Sequence, residues 1–195
     1  MFLKTIGEDE STGRIAQIYA QDRDKFGFVM AATACWTARE DLLPVFGDFF
    51  DKVKAGFTLS PRDWRLITFV AAKHVPSTYC AHVYGRQLRA DLGSADGVLA
   101  VLRDYRSAGL SDREVAMLAF AEKVSTNASS VVQADIEHLR TIGFTDPQIC
   151  DIALCASLRC FMGRFFDATG AGPEASFLDP DETVRAALTV GRDLA

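Results

Sequence analysis

LSPRDWRLITFVAAKHVPSTYCAHVYGRQLRA, residues 59 to 90, decides how the rest of the chain is read. It reads as a helix, a break at Pro76, and a second helix. Ser60 is placed to cap the first helix, Pro61 suits its first position, and Asp63 sits in its positive end. Leu66, Ile67, Phe69, Val70 and Ala71 give that helix an almost wholly apolar body, which predicts burial. Ser77 follows Pro76 as the next cap, which puts Cys80 in the first turn of the second helix. A thiol there meets the helix dipole and free backbone N–H groups. Both favour the thiolate, the form needed for redox chemistry.

The same stretch resembles the core of the alkylhydroperoxidase D (AhpD) and carboxymuconolactone decarboxylase superfamily. It is most similar to the branch of uncharacterised peroxidase-related proteins. The family core reads Leu-Ser, an apolar helix carrying a Glu, then Cys-x-x-Cys-x-x-x-His-Gly and another apolar helix. YAQDRDKFGFV (Tyr19 to Val29), LSDREVAMLAFAEKV (Leu110 to Val124) and FMGRFFDATG (Phe161 to Gly170) also look like family blocks. Together these blocks span most of residues 12–173.

The match at the motif is partial. Cys80 falls on the second, usually reactive, cysteine. Ser77 stands where the first cysteine belongs, Tyr84 (before Gly85) where the histidine belongs, and Arg65 where the glutamate belongs. The resemblance implies an all-α, AhpD-like helical bundle with a two-helix core. It also implies self-association as trimers or hexamers, and it places the candidate catalytic set at Cys80, Tyr84, Arg65 and Ser77; with no cysteine at 77, an external thiol reductant is one expected partner. No cofactor and no metal is expected.

Composition narrows the classes. The chain has 195 residues, 49% hydrophobic and 24% charged, which suits one globular domain. We read 1–58 as an N-terminal helical extension, 59–173 as the core and 174–195 as a C-terminal helix. A net charge of −5, with no Lys/Arg cluster, argues against nucleic acid as a partner. The N-terminus has no apolar run for a signal peptide, and no apolar stretch reaches membrane-spanning length. The expected location is cytoplasmic, with no membrane partner. Five cysteines there point to reduced thiols rather than a disulfide framework.

Helical periodicity is expected over 12–26 (Ile15, Ile18, Tyr19 and Phe26 on one side), 41–55, 94–103, 111–124 and 131–141, the last with Val132, Ile136 and Leu139 inward. Thr145 with Gln148, and Ser111 with Glu114, read as capping boxes. The helix from Thr145 is expected to run to Thr169 and end at Gly170. A final helix is expected over 181–192. Residues 28–37, which include Cys35, read as loop with a short helix. LSPRDWRLITF and LSDREVAMLAF begin alike, hinting at a helical repeat.

Each candidate side chain carries two readings. Cys80 is either a reactive thiol or a small buried hydrophobe. With no cysteine at position 77, a sulfenic acid on Cys80 needs a thiol from elsewhere in the fold, from a partner or from a small thiol, and Cys35 is the intramolecular candidate. Tyr84 lies one turn beyond Cys80, with Gln87 and Asp91 continuing that stripe. It is either a hydrogen-bond donor to the site or a packed tyrosine; its reference pKa of about 10 makes it no substitute for a histidine base. Arg65 either supports a thiolate or holds an anion, or else forms an ion pair. His82 falls on roughly the opposite side from Cys80 and is read as outside the site, facing a neighbouring subunit if anything. His74 is read as a loop histidine and His138 as surface. Cys150, Cys155 and Cys160, spaced by five, are read as packing rather than a metal site. No phosphate loop and no Gly-x-Ser-x-Gly elbow occurs.

Two function classes follow. One is a thiol-dependent hydroperoxide reductase working through Cys80. The other is an inactive oligomeric scaffold that binds a small ligand. A decarboxylase-like enzyme on lactone acids is a variant.

Overall fold

The computed structural model describes residues 1–194, and among them every regular element is helical. The order is α1 (Gly13–Phe26), α2 (Ala31–Ala34), α3 (Leu42–Gly56), α4 (Pro61–His74), α5 (Thr78–Asp91), α6 (Ala95–Asp104), α7 (Asp112–Asn127), α8 (Gln133–Thr141), α9 (Asp146–Thr169) and α10 (Glu182–Leu188), with short 3₁₀ turns between. This is the all-α architecture that the sequence resemblance implies.

The helix starts follow the sequence closely. Ser60 with Asp63, Ser111 with Glu114, and Thr145 with Gln148 each form a complete capping box. Each box satisfies two of the N–H groups that a helix start leaves free. Gly27 and Gly170 end α1 and α9 in the left-handed conformation that glycine adopts without steric cost.

α4 is the centre of the molecule, packed on α5, α7 and α9. Leu66, Ile67, Phe69, Val70 and Ala71 are all 3% exposed or less, as the apolar body of this helix requires. α4 and α7, whose openings are alike in sequence, lie against each other. Arg62 of α4 pairs with Glu114 of α7 at 2.8 Å, next to both boxes.

Two expectations are corrected. Val132 does not point inward: it is 57% exposed, and Leu139 alone of that trio is buried. Val132 precedes the first turn of α8, so the helical phase that would bring it in does not yet apply. The last helix is also shorter than 181–192, stopping at Leu188. Beyond it, the backbone N–H of Gly191 donates to Thr78 Oγ1 at 3.0 Å, a bond that an extended α10 would forgo.

The C-terminal segment runs as a strap along α5. Asp179 pairs with Arg89 at 2.7 Å, Leu188 sits on Gly85, Thr189 Oγ1 lies 3.3 Å from His82 Nε2, and Gly191 rests on Pro76. A Cβ at Gly85 would fall 3.0 Å from Leu188, and one at Gly191 only 1.8 Å from the Pro76 carbonyl oxygen. Glycine at both positions is therefore a condition of the strap's close approach.

Candidate functional site around Cys80 and Arg159

Pro76 breaks the chain between α4 and α5, and Ser77 then caps α5 by accepting from the Cys80 N–H at 3.5 Å. Cys80 is the third residue of the helix, as its sequence position indicated, and it is 2% exposed. Ser77 is fully buried because Gly163 of α9 lets the two helices touch; a Cβ at Gly163 would lie 3.1 Å from that of Ser77.

The cation of the site comes from α9. Cys155, Arg159 and Gly163 stand at four-residue spacing and form one stripe facing α4 and α5. Arg159 is 3% exposed. Its guanidinium lies 4.8 Å from the Tyr84 ring and 5.2 Å from the rings of Phe50 and Trp64. It flanks the sulfurs of both Cys80 and Cys155. No carboxylate pairs with it among the described residues, and its Nε and Nη2 are buried without a hydrogen-bond partner. A buried cation with no counter-charge costs several kcal/mol. Such a residue is rarely kept for stability alone.

Burial dominates the thiols. It pushes the Cys80 thiol above its ordinary value, while the Arg159 guanidinium and then the Ser77 hydroxyl pull it back down. Cys155 behaves alike, pushed up to about 11 by burial against the pull of Arg159 and Thr68; its sulfur lies 3.8 Å from Thr68 Oγ1. Tyr84 is buried with its hydroxyl 3.5 Å from Trp64 Nε1, and burial holds its proton on.

Of the four side chains singled out from the sequence, three meet. Ser77, Cys80 and Tyr84 share one buried region. Arg65 does not join them as the thiol's cation: its Nε and Nη2 grip Asp91 at 2.6 and 2.8 Å in a bidentate ion pair. Asp91, on the stripe that continues from Cys80 and Tyr84, is what draws Arg65 aside. Cys35 is buried with its sulfur directed to the Ala32 carbonyl at 3.4 Å. His82 is fully buried under the strap rather than facing outward, with Nε2 at Thr189. His74 pairs with Glu122 at 3.0 Å, and His138 is exposed. Of the three α9 cysteines, Cys150 is exposed, Cys160 packs, and Cys155 flanks Arg159. Arg159 and Cys155 were missed in the sequence. The available signal was a lone arginine inside ALCASLRCFMG, on one helical stripe with a cysteine and a glycine.

No helix among the described residues is long and apolar enough to cross a membrane. Among the same residues, no group of His, Cys, Asp and Glu is arranged to hold a metal ion.

No protein-family model and no curated protein sequence matches the chain. Solved structures do. An uncharacterised peroxidase-related protein with an AhpD core, from Ralstonia eutropha JMP134, matches with TM-score 0.82 and 26% identity over 90% of this chain and 93% of the other. An uncharacterised peroxidase-related protein from Silicibacter sp. TM1040 matches with TM-score 0.78 and 24% identity, over 89% and 93%. The debrominase Bmp8 matches with TM-score 0.75 and 19% identity, over 96% and 97%. A cysteine-to-alanine variant of Bmp8 in complex with 2,3,4-tribromopyrrole matches equally well. With its helical core, its capped Cys80 helix and these neighbours, the chain has the AhpD-like fold and is similar to the peroxidase-related proteins of that superfamily.

Proposed function

We propose that the protein is a thiol-dependent oxidoreductase that reduces a small electrophile, a hydroperoxide in the first instance, through Cys80. The observation that carries this reading is a thiol in the first turn of α5 set beside the guanidinium of Arg159, which no carboxylate neutralises.

Cys80 gives its proton to water, which later reprotonates Tyr84, and the resulting thiolate forms an ion pair with Arg159 inside a low-dielectric site. The sulfur attacks the distal peroxide oxygen. The O–O bond breaks, the sulfur is oxidised by two electrons to the sulfenic acid, and the departing alkoxide takes a proton. Tyr84, one turn along α5 and held protonated by burial, is the side chain we assign to supply it. One external thiol condenses with the sulfenic acid, releasing water and leaving a mixed disulfide; a second releases Cys80 as the thiol and departs as the oxidised disulfide. The fold also carries a debrominase, so a carbon-bound bromine is a second electrophile to be assayed.

The burial of the sulfur, and the upward push this gives the thiol, favour a second reading: a scaffold that binds a small ligand and does no redox chemistry. Self-association remains part of both readings. Phe49, Val45 and Phe161, all exposed, supply an apolar surface for it, which light scattering tests.

Sulfenic-acid trapping after sub-stoichiometric peroxide separates the two readings. Labelling at Cys80, abolished in Cys80→Ser, supports the oxidoreductase. A Cys80 that stays unmodified while peroxide is undiminished leaves the scaffold.

A further inference from the structure

Arg159 presents more than a neighbour for one sulfur. Nε and Nη2 form one edge of the guanidinium, two parallel N–H donors with the spacing of the two oxygens of a carboxylate. Both donors are buried and neither has a partner. Elsewhere in this molecule the same edge is used on carboxylates: Arg65 grips Asp91 through Nε and Nη2, as Arg140 grips Asp146 and Arg39 grips Asp41. Arg159 is far more buried than these three, and it alone of the four has no carboxylate.

Among the described residues, no carboxylate pairs with the guanidinium. The titratable groups beside the guanidinium are Cys80, Cys155 and Tyr84, the last with its ring 4.8 Å away, and burial keeps a proton on each. Of the acidic residues farther out, Asp151 accepts from the Thr58 N–H and hydroxyl at 2.7 and 2.6 Å, Asp91 is taken by Arg65, and Asp167, whose charge bears on Cys80, is drawn towards Arg192. Lys54, whose charge bears on Arg159, adds positive potential from α3. The walls are aromatic: Phe50 and Trp64 meet edge to face with centroids 5.9 Å apart, and Tyr84 lies on the third side of the guanidinium. Phe50 comes from α3, which touches the site through aromatic rings and keeps an exposed apolar outer face at Leu42, Val45 and Phe49.

We propose that the free edge of Arg159 is a binding site for a small organic carboxylate, held bidentate at Nε and Nη2 beneath α3, with its non-polar part against Phe50 and Trp64. This goes beyond the oxidoreductase reading and does not require it. It has a linked consequence. A carboxylate on Arg159 competes with the Cys80 thiolate for the same positive charge. Ligand therefore makes the thiol harder to ionise, and raising the pH through the thiol's ionisation weakens the ligand.

The test uses acetate and benzoate as probes, with acetamide and benzamide as neutral isosteres. The full-length chain carries Trp36→Phe, so that Trp64 reports alone. Binding is read from Trp64 emission and by calorimetry, and Cys80 alkylation by iodoacetamide is followed across pH. The expected result is saturable binding of the carboxylates, at least about tenfold weaker for the amides, and slower Cys80 alkylation when benzoate is bound. Arg159→Lys, which keeps the charge and loses the edge, is expected to weaken benzoate by about tenfold or more while circular dichroism stays unchanged. Amides that bind as well as acids overturn the proposal, as does benzoate binding that Arg159→Lys leaves intact, or the absence of any saturable signal. Cys80→Ser separates the two ideas: it abolishes sulfenic-acid formation and retains benzoate binding. Loss of one result therefore does not imply loss of the other.

Discussion

The guanidinium of Arg159 stands beside the thiol of Cys80, with two of its own nitrogens making no hydrogen bond. One residue starts a helix and the other sits deep in a different one, so the pair exists only in the folded chain. The opposing effects on the sulfur are of known sign. Burial keeps the proton on, and the cation and the Ser77 hydroxyl favour its loss. The balance between them sets whether the site reacts, and each contribution can be removed separately.

Ser77 stands where a partner cysteine would complete a local dithiol. Its hydroxyl is fully buried and caps α5. Ser77→Cys is expected to restore an intramolecular route: mild oxidation should link the introduced thiol to Cys80, with loss of two hydrogens seen by intact mass. The weakened cap should cost about 1 kcal/mol in chemical denaturation. An oxidised variant with both thiols still free to alkylation would show that the turn cannot bring the two sulfurs together.

Gly191 anchors the strap. A methyl group there meets the Pro76 backbone carbonyl, which cannot turn aside like a flexible side chain. Gly191→Ala is expected to destabilise by roughly 1–3 kcal/mol. At about 2–4 °C per kcal/mol for a chain of this size, that lowers the melting temperature by several degrees. Gly172→Ala, with open space around it, serves as the control and should change little. Equal melting temperatures for the two variants would mean that the strap carries no stability.

His82 gives the strap a pH dependence. Burial, and then Arg185, lower its pKa from 6.5 to about 4 in the folded protein. A histidine lowered in this way is protonated more readily in the unfolded chain. Its contribution is therefore intact above about pH 6.5 and is lost as the pH falls from there towards 4. Full loss corresponds to about 3 kcal/mol. Urea unfolding from pH 7 to 4 checks this by comparing the wild type with His82→Gln, since both share all other acid-titrating groups. The gap in stability between them should narrow as the pH falls. A constant gap would show that His82 does not titrate in this window.

Local rules recovered the fold because this chain obeys them. Ser60 and Asp63, Ser111 and Glu114, Thr145 and Gln148 place three helix starts, and Pro76 with Ser77 fixes where Cys80 falls. The site was half legible for the same reason: Ser77, Cys80 and Tyr84 lie on one helix, and spacing alone puts them together. The cation was not. Arg65 occupies the family's glutamate position, yet Asp91 captures it across the α4–α5 contact. Arg159 reaches the sulfur through helix packing that no local pattern encodes. Val132 and the early end of α10 escaped periodicity because one lies ahead of its helix and the other gives way to a long-range bond from Gly191 to Thr78.

The central claim is that Arg159, and not Arg65, supports the Cys80 thiolate. The most direct measurement is the rate of Cys80 alkylation by iodoacetamide across pH, followed by peptide mass spectrometry, in wild type, Arg159→Met and Arg65→Met. Removing Arg159 is expected to move the alkylation profile to higher pH and to slow the reaction at pH 8 by about tenfold or more, since each pH unit of displacement is tenfold in thiolate. Removing Arg65 should leave the profile in place. A profile that shifts in Arg65→Met and stays put in Arg159→Met would contradict the account.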